Sequence, residues 1–400
     1  MKLRDKLNLI LFLVLIFGIA AVNLLKPPSE STSDLEQREL MAMPEFSTEK
    51  LFEGSYTRDF DNYFADNFAF RSSLVQVGSS MKDLKGFQDE NRIHIVVQGG
   101  DNMGGNNVSA SQYLILRDRA FIAFKSSAEA IERYADTLNQ IADRVGPDVN
   151  VYSLLAPSSV EFSGHSGIEQ LTESQKEAID QINLRLDASI VQVDAYAGLA
   201  AHQDEYIYFR TDHHWSALGA YYAYVQFMEA IGEQPIPLEQ YQKEQIPEFL
   251  GTAYKQTLND RLERHPDTIE YYLPFTEYQY MMHTSPTRSV DRNLVDPNFA
   301  KYSSTDYAVF LGGDYPWGEI VTDNKNGKRV VVVKDSYANA FVPFLLPHFE
   351  KVYYLDPRHY HANLLDFIQE QEITDVLFLN NTSVARNTGL TQQIIDKMNK

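Results

Sequence analysis

Three short segments carry side chains whose types and spacing suit chemistry. The first is Thr211-Asp212-His213-His214-Trp215-Ser216, which follows the aromatic, strand-like stretch Tyr206 to Phe209 and precedes a long helical pattern. In extended backbone, residues two apart face the same side and adjacent residues face opposite sides. Asp212 and His214 are thereby expected to share a face, with His213 turned away into a structural role. A carboxylate beside an imidazole fixes its tautomer and raises its basicity, as a general base requires.

The second segment is Val331-Val332-Val333-Lys334-Asp335-Ser336-Tyr337, a buried strand pattern that ends in a small polar turn. Ser336 then stands at the carboxyl end of a strand, where open α/β sheets bind ligands. Backbone N–H groups at a helix start there can stabilise an oxyanion. The same pattern also suits Asp335 or Ser336 as a plain N-cap. The third segment is Leu355-Asp356-Pro357-Arg358-His359-Tyr360-His361, again just past a strand. Arg358 is a candidate to bind an anionic or sugar-like substrate or to pair with a carboxylate. His359 and His361 could face one metal if extended, although a lone His pair is usually not a ligand set. Asn380-Asn381 closes the last strand pattern and could line the same rim.

The elements that must position these residues alternate. Strand-like runs at Val149–Leu155, Ile190–Val193, Arg329–Val333, Val352–Leu355 and Asp375–Asn380 are interleaved with helical patterns. Those patterns run over Gln175–Leu186, Ala217–Ile231, Tyr337–Leu346 and Ala362–Gln371. Short apolar runs alternating with helices predict an α/β fold, a parallel sheet flanked by helices on both faces. Residues 250–310 break that rhythm and read as hairpins or a long loop inserted in an α/β domain spanning 112–400.

Upstream, Lys2, Arg4 and Lys6 precede an apolar run from Leu7 to Leu25. That length and charge order predict a membrane-spanning helix with the rest of the chain outside the cytoplasm, or a signal segment cleaved near Gly18, Ala20 and Ala21. Residues 26–46 read as a Pro- and Ser-containing linker. Residues 47–111 read as a helical arm followed by a Gly- and Asn-rich loop. The aromatic stripe of the arm, Phe60, Tyr63, Phe64, Phe68 and Phe70, is expected to dock it on the main domain.

Composition bounds the chemistry further. The chain has 400 residues, is 44% hydrophobic and carries a formal net charge of −20. So acidic a protein gains little from phosphate backbones, so nucleic acid is not an expected partner. The absence of Cys excludes thiol catalysis, disulfides and Cys-based zinc sites.

The Asp-His-His-Trp motif, followed by Ser216-x-x-Gly219 and a Tyr-rich helix, resembles the DHHW protein family. That family is similar to the SGNH-hydrolase-like domain of alginate O-acetyltransferase-type proteins. The resemblance extends to Asp61-Asn62-Tyr63-Phe64 and Asp66-Asn67-Phe68-Ala69-Phe70-Arg71 in the arm, to Ala156-Pro157 and to Asp335-Ser336-Tyr337. It implies Ser336 as nucleophile, His214 as base and Asp212 as its orienting acid, with Asp335, Tyr337, Arg358 and Asn380 as substrate or oxyanion candidates. It also implies an exported or membrane-bound protein, no cofactor, a polysaccharide or other acyl acceptor, and a membrane acyl-transfer partner. Lys334 stands where SGNH enzymes usually have Gly, and Gly312-Gly313-Asp314 is a candidate for the missing Gly block.

Three functions follow as expectations. Ser336, His214 and Asp212 would run acyl transfer or ester hydrolysis. A catalytically idle envelope scaffold or glycan-binding protein would keep the fold alone. A metal-dependent hydrolase would use Asp212, His213 and His214 with His359 and His361.

Overall fold

The computed structural model describes residues 3–25, 32–33, 38–71, 73–74, 77–78, 92–98, 111–285, 287–302 and 306–399. Most of the expected linker (26–31 and 34–37) and nearly all of the Gly- and Asn-rich loop (99–110) lie outside the described residues. The chain divides into two compact units, Met1–Asp89 with Leu258–Asp260, and Glu90–Thr257 with Arg261–Lys400. The division falls ahead of the expected residue 111 because strand β1 (His94–Gln98) pairs antiparallel with β2 (Ser111–Leu116), which pairs with β3 (Arg119–Ile122).

The first unit begins with α1 (Leu3–Leu25), the one described helix long and apolar enough to cross a membrane. Two short helices follow, α2 (Thr48–Phe52) and α3 (Ser55–Asp66), broken by Gly54 at φ 77°. That left-handed conformation favours glycine. Phe60, Tyr63 and Phe68 are half-buried, but Phe64 and Phe70 are 47% and 68% exposed.

The second unit is built on an eight-stranded sheet. Its strands are β4 (Asn150–Ala156), β5 (Ile190–Val193), β8 (Tyr278–Ser285), β9 (Arg288–Arg292), β10 (Trp317–Thr322), β11 (Arg329–Lys334), β12 (Lys351–Leu355) and β13 (Asp375–Asn381). The order is β9-β8-β10-β12-β11-β13-β4-β5. From β12 to β5 all pairs are parallel, and β10, β8 and β9 extend the sheet antiparallel. The fold is mixed α/β, with a mostly parallel central sheet flanked by helices. Two strands outside this sheet, β6 (Gln242–Phe249) and β7 (Asp267–Leu273), pair with each other. The segment 250–310 thus contributes short helices, the return strand of one hairpin and two strands of the main sheet, rather than a loop.

Strand β11 shows why the sheet needs cover on both sides. Val330 and Val332 enter one core, Val331 and Val333 the other, and all four are fully buried. A period of two with both phases apolar is the mark of a strand between two layers. One layer includes the Tyr-rich helix Ala217–Ala230, and the other includes helices Ala128–Val145, Gln175–Asn183, Leu364–Glu370 and Gly389–Met398. The helix expected over Tyr337–Leu346 is instead two 3₁₀ turns, Ser336–Ala340 and Val342–Leu345. Pro343 lacks an N–H, and its ring clashes with a carbonyl of the preceding turn, so an α-helix cannot run through it.

The start of the helix Ala217–Ala230 is locked to the preceding chain. Ser216 caps it by accepting from the Gly219 N–H, while the Ser216 hydroxyl donates to the Tyr206 carbonyl at 2.7 Å. A Cβ on Gly219 would lie 2.4 Å from the Ile207 carbonyl oxygen, a backbone atom that cannot swing aside. Gly219→Ala is therefore expected to destabilise the α/β unit by about 1–3 kcal/mol, as overpacking does. A fall in the thermal unfolding midpoint checks this, and an unchanged midpoint would mean that the helix start is free to shift.

Candidate active site

Asp212 and His214 meet through a turn, not a strand. Residues 210–214 form a bend, and the Asp212 Oδ1 accepts the His214 backbone N–H at 2.9 Å. This short-range carboxylate-to-backbone closure is the habit of Asp in turns. It brings the His214 Nδ1 within 2.6 Å of the same oxygen. The other carboxylate oxygen accepts the Thr252 N–H at 2.7 Å. Gly251 makes that approach possible, because a Cβ there would lie 2.3 Å from the Asp212 Cβ. One residue earlier, the buried Asp267 carboxylate accepts from the Thr211 N–H at 2.7 Å and from its hydroxyl at 2.6 Å. Neither Gly251-Thr252 nor Asp267 carried a sequence signal.

Ser336 opens the first 3₁₀ turn after β11. Its hydroxyl lies 2.7 Å from the His214 Nε2, across 122 residues of sequence. With Nδ1–H donating to Asp212, Nε2 is the acceptor and the Ser336 hydroxyl the donor. The Ser–His–Asp chain of contacts is continuous.

The two loops are laced together. The fully buried Trp215 donates its indole N–H to the Tyr337 carbonyl at 2.8 Å. The Tyr337 hydroxyl donates to the His213 carbonyl. Tyr307, from the segment that broke the α/β rhythm, stacks on the His214 ring at 4.0 Å between centroids and 8° between planes. Its hydroxyl donates to the Ser336 carbonyl at 3.3 Å. Nothing in the sequence singled out Tyr307 from its many tyrosine neighbours.

The remaining expected site residues hold the site's frame. Asp335 caps the turn, accepting the Tyr337 N–H at 2.9 Å and the Asn381 N–H at 2.6 Å. The Tyr337 N–H is thus committed and is no donor for an oxyanion. Asn380 is fully buried and accepts the Tyr134 hydroxyl at 2.9 Å, with its Nδ2 unpartnered. Arg358 takes the second of the two roles open to it in the sequence. Its guanidinium is bound to Asp356 Oδ1 at 2.8 Å and Asp314 Oδ2 at 2.7 Å, the carboxylate pairing left open above. Lys334 is 0% exposed and reaches Asp314 Oδ1 at 2.9 Å and Asp356 Oδ2 at 3.5 Å. Asp314 also accepts from the Asn339 amide at 3.0 Å. Two cations and two carboxylates thus balance beneath the serine turn, gripping it at Lys334 and Asn339.

Electrostatics follows from these contacts. Burial pushes the Asp212 carboxyl up, but the imidazoles of His214 and His213 and the hydrogen bonds it accepts outweigh burial and hold it well below the usual carboxylate range. Burial likewise opposes ionisation of Asp314, and Lys334 and Arg358 overcome it. Burial lowers the His213 pKa to about 4, helped by His214 and opposed by Asp212. His213 is not turned away as expected. Its ring lies 3.9 Å from the His214 ring, and its Nδ1 is 3.9 Å from Asp212 Oδ1. Asp212, His213 and His214 have ligand atoms within 4.8 Å of one another, the spacing a cation needs. Both nitrogens of His214 already have partners, so a metal would have to displace Asp212 or Ser336. His359 and His361 are exposed and do not join that group.

The model of the family described as "DHHW protein" matches residues 104–355, a span that holds Asp212, His214 and Ser336. The chain belongs to the DHHW family. Its fold is similar to that of a DHHW family protein from Eubacterium siraeum, at 33% identity and a TM-score of 0.66, covering 76% of this chain and 99% of that one. It is also similar to Bacillus cereus PatB1, solved with a sulfonyl adduct, at 23% identity and a TM-score of 0.59, covering 69% and 96%. The O-acetyltransferase domain of Pseudomonas putida AlgJ is a more distant likeness, at 13% identity and a TM-score of 0.42, covering 77% and 99%. No curated protein sequence matches. In this DHHW protein the motif's four residues have separable tasks: Asp212 and His214 touch each other, His213 packs beside them, and Trp215 ties them to the serine turn.

Two outcomes are expected. Lys334→Met leaves two carboxylates facing Arg358 alone, and should cost about 3–5 kcal/mol, as breaking a buried ion pair does; urea unfolding measures it, and a cost near zero would show the group is solvated. His213 has a folded pKa of about 4, below its ordinary 6.5. The unfolded chain therefore binds more protons between those values, and stability falls as pH drops through that window. In His213→Gln the dependence of unfolding free energy on pH should flatten there, and an unaltered slope would assign it to another group.

Proposed function

We propose that this DHHW protein is a serine-dependent acyl (acetyl) transferase or ester hydrolase, held outside the cytoplasm by α1 and acting on a cell-envelope or exported polysaccharide. The observation that carries the chemistry is the 2.7 Å contact between Ser336 Oγ and His214 Nε2, with Asp212 at 2.6 Å from the other nitrogen. These distances lie within hydrogen-bond reach of a nucleophile and its base. Ser336 attacks the ester carbonyl as its proton passes to Nε2. The imidazolium formed is stabilised by Asp212 and returns the proton to the departing alcohol, leaving an acyl group on Ser336. A sugar hydroxyl or water, deprotonated by Nε2, then takes the acyl group and restores the serine.

Tyr307 restricts the imidazole from one face, and the low pKa of Asp212 keeps its charge in place across the working pH range. His213, neutral above about pH 4, adds no second positive charge beside the forming imidazolium. The polysaccharide is supported by the family resemblance, and the anchor by the apolar length of α1 and the cations ahead of it. A membrane acyl-transfer partner is supported by that resemblance alone.

The test is turnover of an acetyl ester by the purified full chain, with sulfonyl reagents as a label for an activated serine. Ser336→Ala should lower turnover by more than about 10³-fold, on the scale of losing a catalytic serine. It should also abolish sulfonyl labelling, as read by mass spectrometry. If the native chain shows neither turnover nor labelling, the envelope scaffold or glycan-binding reading replaces the enzyme.

A further inference from the structure

The hydrogen bonds of the first unit carry an argument about lipid. The apolar window of α1 runs from Asp5 to Asn23, 19 residues. At about 1.5 Å per residue that is close to the ~30 Å of a bilayer's hydrocarbon core. Asn23 then lies at the outer edge of that core. Its side-chain Oδ1 accepts the Ala69 N–H at 2.8 Å, and Ala69 is buried. The chain at residue 69 is thereby held at the level where hydrocarbon gives way to headgroups.

The next residue is Phe70, at φ 61°, in the left-handed region that L side chains rarely adopt. Its ring is 68% exposed. A helical stretch leaves from it, with the Leu74 N–H bonded to the Phe70 carbonyl at 2.9 Å. Leu74 and Val77 are 50% and 54% exposed. Leu74 and Val77 are helical positions three apart and so face the same side, with Phe70 in the turn just ahead of them. The turn at Phe70 thus presents an aromatic ring outward beside two exposed aliphatic side chains.

We propose that Phe70, Leu74 and Val77 lie in the outer interfacial layer of the same bilayer that α1 spans. The hydrogen bond from Ala69 to Asn23 places them there, and a helical apolar face suits the boundary between headgroups and acyl chains. The arm is then a second, shallow membrane contact. This inference rests on the reading of α1 as an anchor.

The chain contains no Cys, so a single introduced thiol gives one labelled site. The full chain is reconstituted in phosphatidylcholine vesicles with a nitroxide at Phe12→Cys, Phe70→Cys, Val77→Cys or Leu184→Cys. Collision rates with oxygen and with a water-soluble nickel chelate are compared for each. The Phe12 label, on α1, should sit deep. The Leu184 label, at a site 84% exposed in the α/β unit, should be aqueous. The Phe70 and Val77 labels should fall between them, with oxygen favoured over nickel. The Val77 site keeps Phe70 intact, so loss of that ring cannot decide the result. Aqueous values at both sites with Phe12 deep would overturn the proposal and leave the anchor standing. An aqueous Phe12 would overturn the anchor, and the proposal with it.

Discussion

The site depends on keeping one buried carboxylate ionised. Asp212 is almost wholly out of water, where a lone charge is costly. It survives because each oxygen meets a donor: the His214 N–H and Nδ1–H on one, the Thr252 N–H on the other. Those donors dictate the neighbourhood. Thr252 reaches Asp212 only because Gly251 has no side chain, and the bend holding Asp212 is secured by Asp267 from the paired strand β7. The charge also fixes which nitrogen of His214 keeps its proton, and so leaves the other to face Ser336.

A second electrostatic constraint holds the turn that carries Ser336. Lys334 ends β11 inside the protein, and its ammonium needs anions. Asp314 and Asp356 provide them, and Arg358 restores the balance. A residue that would crowd a serine turn as a bare side chain thus becomes its foundation. The same argument accounts for Arg358, whose guanidinium is paired with both of these carboxylates.

Much of this was legible in the sequence, for physical reasons. Val330 to Val333 are apolar in both phases, so the central strand and its two covering layers could be read directly. Asp212 and His214 could be paired from their spacing, although the reason was wrong: a turn closed by the carboxylate joins them, and the same turn leaves His213 beside them. The helical periodicity over 337–346 does not become an α-helix because Pro343 interrupts it, and two 3₁₀ turns form instead. Thr252, Asp267 and Tyr307 were invisible because their roles depend on tertiary contacts 40 to 93 residues from the motif they serve, with no local pattern to mark them.

Thr252 and Tyr307 share one further property. Both belong to the stretch that interrupts the α/β rhythm, and between them they touch Asp212, His214 and the serine turn. The interruption therefore serves both the sheet, through β8 and β9, and the setting of the motif. A change of packing anywhere in that stretch is thus transmitted to the Asp212–His214 pair through Thr252 and Tyr307, without altering a residue of the motif itself.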